Sequence, residues 1–292
     1  MAAGYWRDAL KSRSYWKYAL FSPGAAAKFM AAIGFLYLLV DAADFFDVYT
    51  KDQHSQYGIL FIAFAALLFA LFTNRPVSRI SYRVPNKDIK IEVKIGDIFS
   101  EPGGVIISSN TTFDTDMSSG LISTGSLQGQ FATKFFNGQT NDIDDQIKQR
   151  LSGEDFIIND ERPRNKKEYP LGTVARISSH NRNFYFFAMS FLDSNGTAYS
   201  DQKMLDQALE GLWKNVATKA ELDDIAIPLI GTGRGRVALS RKKVIEKISQ
   251  SFVDASQDKV FSNKLTIVVR PEDAANFSLN LFQVRDYLSH NF

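Results

Sequence analysis

The chain has 292 residues, no cysteine, three scattered histidines (His54, His180, His290) and 34 Lys and Arg against 32 Asp and Glu. Without cysteine there is no disulfide framework, thiolate nucleophile or Cys-type zinc site, and three separated histidines speak against a histidine-cluster metal centre. A net charge of +2 is too small for a general nucleic-acid binder, so no nucleic-acid partner is expected.

That charge is unevenly spread. Up to Val84 there are nine Lys and Arg against five Asp and Glu, leaving 25 against 27 beyond it. A basic front is therefore joined to a slightly acidic body, in which an anion must be held by local backbone and a few placed side chains. The leader Tyr5–Phe21 interleaves Trp6, Tyr15, Trp16 and Tyr18 with basic residues. It reads as a helix lying along a membrane interface, or as an ordinary solvated amphipathic helix.

Ala25–Phe46 is mostly apolar, with its charges (Lys28, Asp41, Asp44) towards the ends. The run Tyr57–Phe72 has no charge, and ten of its residues are Leu, Ile or Phe. At roughly −0.3 to −0.6 kcal/mol each, those ten contribute about −3 to −6 kcal/mol towards insertion. The segment between the two runs is long enough only to reverse the chain, so they are expected to form a transmembrane hairpin. Arg7, Lys11, Arg13, Lys17 and Lys28 precede it and Arg75, Arg79 and Arg83 follow it, which places both termini and the body in the cytoplasm. Two buried helices of a soluble fold are the alternative; a cleaved signal peptide lacks a persuasive cleavage site. The expected organisation is 1–24 interfacial segment, 25–73 hairpin (about 25–46 and 57–72), 74–86 linker and 87–292 ligand-binding domain.

The body alternates strands and helices. Strands are expected at Asp88–Ile95, Gly104–Ser109, Thr173–Ser178, Asn183–Ser190, Asp224–Pro228 and Leu265–Arg270. Helical periodicity covers Gln128–Phe136, Asp142–Leu151, Asp201–Lys219, Ser240–Ala255 and Glu272–Leu288, and Gly153–Pro170 reads as an irregular surface loop. The expected fold class is α/β, a mixed sheet covered by helices on both faces, with ligands at strand ends beside helix N-termini.

Four pieces stand at such ends. Gly96-Asp97-Ile98-Phe99 offers a carboxylate to an exocyclic amine such as that of adenine, although Asp after Gly is also a common cap. Ser108-Ser109-Asn110 offers an amide to a sugar hydroxyl. The stretch Gly120 to Phe131, with Gly125, Ser126, Leu127, Gln128 and Gly129, is a glycine-spaced loop running into a helix, where backbone N–H groups can approach a phosphate. The strand IAIPLI leads into Gly231, Thr232, Gly233, Arg234, Gly235 and Arg236, which is neither a P-loop nor a dinucleotide fingerprint. Its glycines let backbone curl around a diphosphate, with Arg234 and Arg236 able to neutralise it.

In this order the pieces resemble the macro domain family, over about Asp88 to Leu288. The resemblance implies a macro-domain-like mixed sheet sandwiched by helices and an ADP-ribose or ADP-ribose-conjugate ligand. It also implies that Asp97, with Ile98 beside it, meets adenine, Asn110 the distal ribose, and the two glycine loops the diphosphate. Hydrolytic members carry an acid where this chain reads TGSLQGQF with Gln128. A neutral amide is no general base, so a binding protein is expected rather than an enzyme, without catalytic or metal-ligating residues. Two membrane helices ahead of such a domain resemble the effectors of type II Thoeris antiphage systems. That resemblance implies a TIR-domain partner that makes the signal nucleotide, self-association, and disruption of the lipid bilayer when the signal arrives. A membrane-tethered ADP-ribosyl hydrolase and a passive scaffold with a degenerate macro fold are the alternatives.

Overall fold

A computed structural model describes residues 7, 10–50, 55–160, 165–219, 224–231, 237–257 and 259–292. Ser12 and Ser22 accept from Tyr15 and Ala25 N–H and so start α1 (Arg13–Phe21) and α2 (Pro23–Phe45), the latter with proline at its first position. Together with α3 (Ser55–Thr73), α2 packs as an apolar helical pair. Both are long and apolar enough to cross a bilayer by length and composition. Phe35, Leu38, Leu60, Phe61 and Phe64 point away from the protein, unlike the side chains of a soluble core helix. Residues 1–6, 8 and 9 and the turn 51–54, with His54, lie outside the described residues.

The body is built on strands β1 (Arg79–Arg83), β2 (Lys90–Ile95), β3 (Gly104–Asn110), β6 (Val174–Ser179), β7 (Arg182–Leu192), β8 (Ala198–Tyr199), β9 (Ile225–Pro228) and β10 (Lys264–Val269). The order across the sheet is β1-β2-β10-β9-β3-β7-β6, with β8 on the end of β7. Strands β2, β10, β9, β3 and β7 are parallel, while β1, β6 and β8 pair antiparallel at the margins. This is the mixed sheet expected from the alternation of elements. A separate two-stranded hairpin, β4 (Ile157–Ile158) with β5 (Lys167–Glu168), occupies the stretch read as irregular loop.

Strands β3, β7, β9 and β10 are largely apolar because both faces are covered, whereas β2 keeps Lys90, Glu92 and Lys94 on one face, with buried Glu92 paired to Arg79 and Lys264. Helices α4 (Leu127–Phe136) and α5 (Asn141–Arg150) cover one face, where Phe131 packs against Phe184 and Phe186. Helices α6 (Gln202–Lys219), α7 (Arg241–Ala255) and α9 (Leu281–Asn291) cover the other, burying Trp213, Phe252 and Leu288. Along β7, Phe184, Phe186 and Ala188 join the first cluster while Tyr185, Phe187 and Met189 join the second, the period-two pattern of a strand.

Two local expectations are corrected. The stretch read as a linker, 74–86, contains edge strand β1, whose RISYR sequence buries Ile80 between exposed Arg79 and Ser81. The expected last helix Glu272–Leu288 is two helices, α8 (Pro271–Asn276) and α9: Ser278 takes a left-handed φ of 48° and Asn280 accepts from Phe282 N–H to start a new helix.

Candidate ligand-binding site

The C-terminal ends of β2, β3, β9 and β10 open into a cleft of about 800 Å³, where an α/β sheet is expected to hold ligands. Asp97 and Ile98 enter it after β2, Asn110 at the end of β3, Gly125 to Gln128 at the start of α4, and Gly231 after β9. Four sequence-distant pieces thus meet in one place. Thr232, Gly233, Arg234, Gly235 and Arg236 lie outside the described residues.

Each described piece has its local cause. Asp97 caps a 3-10 turn, Ile98–Ser100, accepting from Phe99 N–H at 3.0 Å. Its other oxygen lies 3.6 Å from Lys134 Nζ, and the side chain keeps 43% exposure, so the pair is weakly held and open to competition. Ser126 caps α4, donating to Ser123 C=O at 2.6 Å while accepting from Gly129 N–H at 3.0 Å. The N–H groups of Leu127 and Gln128, in the same first turn, have no acceptor within the helix and sit at its positive end. Gly231 has φ 71°, and a Cβ on it would meet Val237 Cγ2 at 2.8 Å; its carbonyl accepts from Val237 N–H at 3.1 Å. The loop therefore leaves and returns at one point, which only glycine fills without strain.

Asn110 and Gln128 belong to a buried polar knot that forms part of the cleft wall. Asn110 Oδ1 accepts from Asp114 N–H at 3.0 Å and from the Thr112 hydroxyl at 3.1 Å. Asp114 also accepts from Thr112 at 2.5 Å and from Asn165 Nδ2 at 2.8 Å. Gln128 Nε2 donates to the Asp114 carbonyl at 2.6 Å. The glutamine amide therefore fastens the first turn of α4 to the loop after β3. Gly129 does not line the cleft: a Cβ there would lie 2.3 Å from Ser123 O, so it is glycine to let the loop pack on the helix.

Sequence reasoning passed over part of the lining. Met189, Ser190 and Leu192 at the end of β7, the turn Asn195–Ala198, Leu121 and Ile122, and Arg270 and Asp273 after β10 all face the cleft. Arg270 Nε donates to Asp273 at 3.1 Å. The DSNG turn signal and the rule that ligands sit at strand ends were available to find them. Leu121 meets Gly196 across the opening, within 2.7 Å of where a Cβ would stand, a contact of distant loops that carries no pattern in sequence. Charged residues in the described lining are Asp97, Arg270 and Asp273, so an anion here depends on backbone N–H groups more than on net field. Among the described residues no group of His, Asp and Glu could hold a metal ion.

Residues 91–270 match the family model described as Thoeris protein ThsA, macro domain. The Thoeris protein ThsA of Bacillus amyloliquefaciens (strain Y2) is 28% identical over 149 residues, a stretch covering 49% of each protein, so the match spans about half that relative's length. Among solved structures, a mutant macrodomain from Oceanobacillus iheyensis superposes with a TM-score of 0.50 at 14% identity, over 74% of this chain and 100% of that one, a likeness of fold. The macrodomain of the same organism solved with ADP gives 0.49 at 15% identity, over 74% of this chain and 100% of that one.

Proposed function

The chain belongs to the Thoeris ThsA macro-domain family, and from that premise we propose that it is a membrane-anchored receptor for an ADP-ribose-derived nucleotide, acting as an effector in antiphage defence. The observation that carries the reading is the convergence of Asp97, Asn110, the Gly125–Gln128 turn and Gly231 on one cleft. Asp97 and Ile98 receive the adenine, the N–H groups of the two glycine loops receive the diphosphate, and Asn110 faces the distal ribose. The first-turn donors of α4 are suited to phosphate oxygens in a site whose described lining sets one cation, Arg270, against two carboxylates, Asp97 and Asp273.

Binding without turnover is part of the proposal. The Gln128 amide is spent on the Asp114 carbonyl, so neither its chemistry nor its position serves to activate water. Helices α2 and α3 act as the transmembrane hairpin, with termini and receptor body in the cytoplasm. A TIR-domain partner supplies the nucleotide, and several chains assemble to disturb the inner membrane, since one two-helix hairpin is too small to enclose a pore. The receptor body begins at β1 rather than at residue 87.

Titrating ADP-ribose into the full chain in lipid nanodiscs, followed by product analysis, tests the binding claim. Saturable binding of ADP-ribose is expected, together with no release of ADP-ribose when the chain is incubated in parallel with an ADP-ribosylated protein; such release would favour the hydrolase instead.

A further inference from the structure

The apolar helices are tied to the body at one knot. Asn74, buried just after α3, accepts the Tyr15 hydroxyl at its carbonyl, donates from Nδ2 to Ala19 C=O at 3.2 Å, and accepts from Lys28 Nζ at 2.7 Å. It joins the leader helix α1, the start of α2 and the exit of α3. The knot rests on the first two turns of α9. The Tyr18 ring stacks on Phe282 at 6.2 Å with the planes 12° apart, and its hydroxyl donates to Asp286 Oδ2 at 2.5 Å. The Lys28 ammonium stands 6.0 Å from the same Phe282 ring. Burial, with Asp286 accepting its proton, pushes the Tyr18 phenol well above its ordinary pKa, so it remains a donor at any physiological pH.

The same stretch of chain begins in the cleft. Arg270 and Asp273 line it and open α8. Asp273 also lies 3.8 Å from Arg241, the first residue of α7, just beyond the second glycine loop. Helix α8 is locked to α9: Leu279 N–H bonds to Ala274 C=O at 3.0 Å, and Asn280 caps Phe282 at 3.0 Å. A nucleotide in the cleft competes with Asp273 for Arg270, and a shift of α8 is passed to α9 through those bonds.

We infer that the Phe282–Asp286 face of α9 is the docking surface for the leader helix α1, and that occupancy of the cleft reaches the membrane helices through it. The inference rests on the receptor reading. A ring stack, a partly exposed hydrogen bond and the Lys28 ammonium over Phe282 hold the contact, so a modest preference of the ligand for one arrangement suffices to move it.

Hydrogen exchange on the full chain in lipid nanodiscs, with and without ADP-ribose, tests this. In the wild type, ADP-ribose should protect the amides of Gly125–Phe131 and change exchange in Arg13–Phe21 severalfold. In a Tyr18→Phe, Phe282→Ala double variant the cleft protection should persist, showing an intact fold, while the response of α1 is lost. Asp286→Asn, which keeps an acceptor for Tyr18, should behave as wild type. A response of α1 that survives the double variant, or is missing in the wild type although the cleft is protected, would overturn the transmission route. No cleft protection in the wild type would overturn the receptor reading and the route with it.

Discussion

Gln128 shows how one residue is legible in sequence and yet misread in purpose. Its neutral side chain stands where the resemblance to hydrolytic macro domains implies an acid, a reading that rests on that resemblance. That its amide donates to the Asp114 carbonyl depends on a loop fourteen residues upstream folding back on α4. Gln128→Glu removes the donor and sets a carboxylate against a buried carbonyl. An unsatisfied buried group costs about 1–3 kcal/mol, so thermal unfolding should move down by several degrees while an ADP-ribosylated protein keeps its ADP-ribose. Asp97 is the converse case: the sequence offers it as adenine acceptor or as turn cap, and the structure has one oxygen capping and the other open to solvent and Lys134. Asp97→Ala should weaken ADP-ribose binding roughly ten- to hundredfold, the worth of a hydrogen bond to a charged group, as read by calorimetry.

Among elements, β3, β7, β9 and β10 were plain in sequence as short apolar runs, β2 by its alternation of apolar and charged residues, and the helices because their periodicity is amphipathic. Phe131 is where the two meet: wholly buried, it touches Phe184, Phe186, Phe135 and Phe136. Phe131→Ala should cost about 3–5 kcal/mol, measured by denaturant unfolding. Gly129→Ala places a Cβ against Ser123 backbone, and should displace the 123–125 loop and lower ligand affinity more than global stability. Edge strand β1 escaped notice because its five residues follow directly on a membrane-like run, and the break between α8 and α9 because helical periodicity resumes in phase beyond it. Hairpin β4–β5 escaped because its two-residue strands are too short to show alternation.

At the scale of the molecule, the charge asymmetry and the two apolar runs divided the chain correctly into a helical front and an α/β body, but the joint between them was invisible in sequence. Tyr18 and Asp286 are far apart along the chain and meet only in three dimensions. Because β1 follows α3 after a few residues and completes the sheet beside β2, a chain cut at Pro85 loses its edge strand. Such a truncation should unfold at lower temperature than one beginning before Arg79, as differential scanning fluorimetry would show. The α/β body and the apolar helices are therefore structurally continuous.

The central claim is that this cleft holds an ADP-ribose-type nucleotide. It is tested most directly by calorimetric titration of ADP-ribose into the full chain in nanodiscs, alongside Asp97→Ala. Saturable one-site binding that falls in the folded variant is the predicted result. A folded wild-type chain that takes up no ADP-ribose, or a variant that binds it equally well, would contradict the account.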